Sequence, residues 1–255
     1  MPKQRMAYLR FFYIQIHYYW RQKNNFVPNT HNITMDTFYI KLSSTENSAC
    51  PHPLPVCTSK FWGDPDLPKG MPYPSQYIAE WDESLPYHFI CQINLADLPP
   101  QDLLPSEGLL QFYANIHYYL GWDGEPEIGS CLSRTDDVRV LYFQDANPAG
   151  FEPQIVVDEE DENCRLFPHE LALSFTDKLS IDHPQHHLLG FPEFREWEDW
   201  DEPCQGWRLL LQVDSFDGPD FNLNFMDTGV LNFLISENDL KQRNFDQVRA
   251  IILST

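Results

Sequence analysis

The chain writes one pattern twice, and this repeat limits the possible folds more than any local signal does. The first copy reads SKFWGDPDLP, FICQINLADL, GLLQFYANI and DVRVLYF; the second reads HHLLGFPEF, RLLLQVDSF, GVLNFLI and QVRAIIL. Gly63 and Pro65 align with Gly190 and Pro192, and Gln92, Ile93 and Asn94 align with Gln212, Val213 and Asp214. Gly108, Leu109 and Leu110 align with Gly229, Val230 and Leu231, and Val138 and Arg139 with Val248 and Arg249. The interval from Gln92 to Gly108 differs from that between Gln212 and Gly229 by a single residue. Four anchors in one order predict a duplicated structural unit, with halves at about 60–143 and 188–253.

Inside each copy the apolar runs are short and bounded by Gly, Pro and Asp, which is strand-and-turn writing. Ahead of the first copy, TFYIKL alternates Phe38, Ile40 and Leu42 with Tyr39 and Lys41, a period of two that predicts a strand. Between the copies, IVV and LALSF read as strands, and DEEDE at 158–162 reads as a solvated loop. QVRAIIL is ambiguous by itself; its match to DVRVLYF decides for strand. Ser236 and Asp239 resemble a helix-start box, which predicts a short helix there. The expectation is an α+β fold: mostly antiparallel β, two repeated β-rich halves and a few short helices. Residues 36–255 are expected to form one domain. Residues 1–35 read as a poorly ordered basic and aromatic extension.

Charge bounds the partners. The net charge is −21, with 42% hydrophobic and 15% aromatic residues, so the chain folds around a core and presents an acidic surface. Nucleic acid is excluded as an expected partner, because its phosphates require Lys and Arg. A basic protein or peptide fits instead. Residues 1–34 run against this balance, with Lys3, Arg5, Arg10, Arg21 and Lys23 and no acidic residue. An interfacial helix on an anionic membrane is one reading of that stretch, and an extension outside the fold is the other. No run is long and apolar enough for a membrane span.

Cys50, Cys57, Cys91, Cys131, Cys164 and Cys204 form no tight pairs, so free thiols and a cytoplasmic location are expected. Cys50, His52 and Cys57 lack the four-ligand spacing of a zinc site, and the adjacent His186 and His187 would point to opposite faces of a strand. Neither group predicts a metal, and no cofactor is expected. There is no Gly-x-Ser-x-Gly elbow, Walker loop, dinucleotide fingerprint or His-Glu-x-x-His. No catalytic residue is therefore assigned.

The Ser-Lys-Phe-x-Gly-x-Pro-x-Leu-Pro opening, the strand ending Gln-Ile-Asn and Pro-x-x-Gly-Leu-Leu-Gln-Phe resemble the YwqG-like family of uncharacterised proteins. Leu-Leu-Gly-x-Pro, Leu-Leu-Leu-Gln-Val-Asp and Asp-Leu-x-x-x-Asn-Phe-Asp-x-Val extend the resemblance from about Ser59 to Thr255. Trp62 stands where that family usually has a second glycine, and Glu196 where glutamine is expected. The family is distantly similar to the programmed cell death protein 2 group of ribosomal-protein chaperones, which implies a peptide-binding role.

Candidate binding residues follow from the repeat. Gln92 and Gln212 are amides inside apolar strands at matching places. Each either satisfies a loop that crosses its strand or reads the backbone of a bound extended peptide, since an amide both donates and accepts. Trp62 and Asp64 at the first turn, and Glu196 and Trp197 after the second, combine an aromatic face with a carboxylate, suited to a basic side chain. The function expected is a non-enzymatic cytoplasmic protein-binding module for a basic peptide or a chaperoned partner. A hydrolase using cleft carboxylates and a toxin-neutralising immunity-type protein are the alternatives.

Overall fold

The computed structural model describes residues 37–43, 54–79, 82–116, 128, 131–155, 170–176, 186–190, 206–217, 222–225 and 228–253. The basic N-terminal stretch, Cys50, His52, Cys164, Cys204, the acidic run at 158–162, Glu196 and Trp197 lie outside them.

In chain order the strands are β1 (Phe38–Ser43), β2 (Lys60–Phe61), β3 (Asp66–Pro68), β4 (Ser75–Ile78), β5 (Glu83–Pro86), β6 (His88–Asn94), β7 (Leu109–Ala114) and β8 (Val138–Phe143). Then follow β9 (Phe151–Pro153), β10 (Leu171–Thr176), β11 (His187–Leu188), β12 (Trp207–Asp214), β13 (Phe216–Asp217), β14 (Asn222–Leu223), β15 (Val230–Ser236) and β16 (Arg249–Leu253). Ten of them make one antiparallel sheet in the order β16-β15-β12-β11-β1-β10-β2-β6-β7-β8. It curls into a nearly closed, barrel-like shape.

This corrects the α+β expectation. The protein is mostly antiparallel β, and the one α-helix among the described residues is α1 (Glu237–Gln242). Among the described connections, Leu95–Asp97, Thr135–Asp137, Pro148–Gly150 and Phe245–Gln247 are single 3₁₀ turns. α1 itself starts where the Ser236 hydroxyl accepts the Asp239 N–H (3.0 Å) and ends at Arg243 in the left-handed region.

The sheet order is symmetric about its centre. β2-β6-β7-β8 on one side corresponds to β11-β12-β15-β16 on the other, and both halves carry a bulge at one place, between Phe89 and Cys91 and between Leu209 and Leu211. Gln92 pairs with Gln111 as Gln212 pairs with Asn232. Trp62 N–H donates to Ile90 O (2.9 Å) as Leu189 N–H donates to Leu210 O (3.0 Å).

Period-two alternation then sorts side chains. On β7, Leu110, Phe112 and Ala114 enter the main core; on β15, Leu231, Phe233 and Ile235 enter the same core. Phe112 and Phe233 meet edge to face at 5.3 Å, so the two halves share one interior. Each such buried side chain contributes about 1.5–3 kcal/mol relative to exposure. The opposite face of β7 carries Leu109, Gln111 and Tyr113, and that of β15 carries Val230, Asn232 and Leu234, all buried.

Candidate functional site

The outer face of the first half holds a polar row that begins at Asp66. Gly63, at φ +75°, turns the chain after β2 so that β3 crosses over β6 and β7. Asp66 is fully buried there, and its Oδ1 accepts the Lys60 ammonium at 3.0 Å. Its Oδ2 accepts Cys57 N–H (2.8 Å) and the Gln92 side-chain amide (2.5 Å). The backbone of Asp66 is read as well. Its N–H donates to Gln92 Oε1 (3.0 Å), and its carbonyl accepts Gln111 Nε2 (2.6 Å). Gln111 Nε2 also donates to Gln92 Oε1 (3.1 Å), and Gln111 Oε1 accepts the Tyr113 hydroxyl (2.8 Å). Every partner in this set is buried, so each bond is strong and each orphan costly.

Chemically the row is a clasp. Two glutamines hold one extended residue by its N–H and C=O, and the ammonium–carboxylate pair neutralises charge that burial would otherwise penalise. Burial pushes the Tyr113 hydroxyl well above its ordinary range and the Cys57 thiol up to about 11, with Asp66 adding to the latter. Neither is poised to ionise near neutrality. Among the described residues no group of His, Cys, Asp or Glu is arranged to hold a metal.

The second half builds the same places from other residues. His187 stands where Lys60 does, Gln212 where Gln92 does and Asn232 where Gln111 does. His186 matches Ser59: Asp214 N–H donates to His186 Nδ1 (3.0 Å) as Asn94 N–H donates to Ser59 Oγ (2.9 Å). An accepting Nδ1 leaves the proton of neutral His186 on Nε2. Burial drives this imidazole down to about 4; Asp214 opposes the shift and His187 adds to it. The neighbouring histidines are thus interior structural groups, packed on Phe61 and Tyr39.

Of the residues read from sequence, Trp62 is 2% exposed and packs edge-on against Phe61, and Asp64 is buried. Gln92 and Gln212 are both buried and lie in separate halves with four strands between them. Glu196 and Trp197 lie outside the described residues. Asp66, Lys60, Gln111 and Tyr113 were not singled out from sequence. A signal for Asp66 was present: aligning Gly63 and Pro65 with Gly190 and Pro192 sets Asp66 opposite Glu193, acid against acid.

Beside the clasp, an open cleft of about 600 Å³ is lined by Asn94, Ala96, Glu107, Gly108, Gln144, Asp145, Ala146 and Asn147. Asn94 links the two places, since its Nδ2 donates to Cys57 O (3.0 Å) and its Oδ1 caps Ala96 N–H (3.2 Å). Glu107 and Asp145 are exposed, and the lining contains no Lys or Arg. Two of the repeat anchors, Asn94 and Gly108, are part of its lining.

No curated protein sequence matches the chain at a significant level. The family model described as "Domain of unknown function (DUF1963)" matches residues 59–252, a range that runs from the start of β2 into β16 and so takes in both halves, and the chain belongs to that family.

Proposed function

We propose that the protein is a non-enzymatic binding module that takes a basic segment of another protein into the Glu107–Asp145 cleft. The observation that carries this reading is the lining itself: two exposed carboxylates among three amides and no cation. Carboxylates attract a Lys or Arg side chain, and the amides of Asn94, Gln144 and Asn147 suit the adjoining backbone. The net charge of −21 adds long-range attraction for such a partner, while the Lys60 cation is turned inward onto Asp66. We place the chain in the YwqG-like branch on the motifs quoted above, and in the cytoplasm on the untethered thiols of Cys57, Cys91 and Cys131.

The test is fluorescence anisotropy with a labelled Lys- and Arg-rich peptide, with the same peptide carrying Glu for Lys as control. Two exposed ion pairs of up to about 1 kcal/mol each imply weakening by about 3- to 30-fold in Glu107→Gln/Asp145→Asn. Raising salt to about 0.5 M should weaken the parent similarly. Equal binding by parent and double variant would remove the cleft from the proposal. The same pair of carboxylates favours one other reading, a hydrolase with an acid and a base in that cleft. Turnover of chromogenic ester or glycoside substrates that is lost in the double variant would decide for it.

A further inference from the structure

The twofold correspondence exposes one place where the halves differ in what they satisfy. In the first half the Gln111 amide is fully used: Nε2 donates to Asp66 O and Gln92 Oε1, and Oε1 accepts the Tyr113 hydroxyl. At the matching place Asn232 is fully buried, and neither Oδ1 nor Nδ2 has a hydrogen-bond partner among the described residues. Its same-face neighbours Val230 and Leu234, and Ile251 paired across one edge of β15, are apolar, and Gln212 is paired across the other edge. A buried amide left this way costs about 1–3 kcal/mol per group. Two substitutions contribute to the difference. Asparagine is one methylene shorter than glutamine, and Leu234 stands where Tyr113 carries its hydroxyl.

We propose that Asn232 anchors an internal water site, in which a water takes the place that the Tyr113 hydroxyl fills in the first half. The chemistry of the amide selects the ligand. Oδ1 requires a donor and Nδ2 an acceptor, so a bare cation or anion satisfies only one of the two. A neutral hydroxyl does both, and the room left by a methylene and a phenol exchanged for leucine is of the order of one water. The site differs from the cleft in position and in ligand, and it stands whether or not the cleft binds a peptide.

Water-to-protein rotating-frame cross-relaxation on the ¹⁵N-labelled full chain tests the site. A long-lived water contact to the Asn232 side-chain amide, still present in Leu234→Ala and lost in Leu234→Tyr, is the expected result, because tyrosine restores the hydroxyl of the first half. A crystal structure should show the same water within about 3 Å of the amide. Absence of the cross-peak while the amide is protected from exchange, or a protein atom found bonded to Asn232 in the crystal, overturns the proposal.

Discussion

Lys41 and Ser174 face each other across β1 and β10, and theirs is the one register position that the internal twofold maps onto itself. On either side, Ile40 opposite Phe175 answers Leu42 opposite Leu173, and Tyr39 opposite Thr176 answers Ser43 opposite Ala172. β1 and β10 are therefore equivalent strands. Ile40 N–H donates to His186 O (2.8 Å) as Leu173 N–H donates to Ser59 O (3.1 Å). The pairing is crossed: β1 precedes the first copy in the chain but pairs with β11 of the second, whereas β10 precedes the second and pairs with β2 of the first.

Crossed first strands make each half incomplete alone. The full chain should unfold in one transition, with circular dichroism and tryptophan fluorescence coinciding in urea. Fragments 36–158 and 159–255 should co-purify when expressed together. Two resolved transitions would show that the halves are independent.

The Lys60–Asp66 pair is sealed from solvent, so removing one partner strands the other. Lys60→Met is expected to cost about 3–5 kcal/mol, and Lys60→Met/Asp66→Asn less than the sum of the two single variants, by the non-additivity of a buried pair. Chemical denaturation of the four proteins of the cycle measures this. Additive losses would mean that the pair is not coupled.

The two outer-row amides should respond differently to one substitution. Gln111→Leu leaves Asp66 O and the Tyr113 hydroxyl without their partner and should destabilise by about 1–3 kcal/mol. Asn232→Leu strands no protein group and should be neutral or stabilising. The reverse ranking of melting temperatures would contradict this account.

Gly63 and Gly190 occupy equivalent left-handed positions, at φ +75° and +83°. A Cβ on Gly63 would lie 2.8 Å from Glu170 Cβ, and one on Gly190 would meet Thr37 Oγ1. Thr37 and Glu170 themselves immediately precede the equivalent strands β1 and β10. Both Gly→Ala variants should lose about 1–3 kcal/mol or more from backbone strain, before the contact is counted. Unchanged urea midpoints would show that these turns rearrange freely.

His186 gives a pH signature. Its folded pKa, lowered by burial to about 4, lies below its ordinary value of 6.5. Above pH 6.5 both states are neutral and stability is full; as pH falls toward 4 only the unfolded chain takes up the proton, so stability declines, and below 4 the loss levels off. Asp214 and His187 are the charged and titratable groups that act on it. His186→Gln should flatten the slope of the urea midpoint between pH 6.5 and 4 relative to the parent. An unaltered slope would remove His186 as its source.

The sequence by itself determined the duplication, the strand pattern and the equivalence of Gln92 with Gln212, because these rest on local alternation and on turns that only glycine tolerates. TFYIKL and LALSF were legible as strands, yet their kinship was not: Phe38, Ile40 and Leu42 match Leu171, Leu173 and Phe175 only in apolar character, which any half-buried strand shares. The absence of a helical layer among the described residues was likewise hidden, since a turn such as Leu95–Asp97 and a first helical turn are written alike. What only the tertiary structure decided is the interior of each outer face. Asp66 and Gln111 look like a loop acid and a strand amide until β3 crosses β6 and β7. Crossing brings together groups 26 and 45 residues apart, and no local pattern encodes which backbone a buried amide will meet.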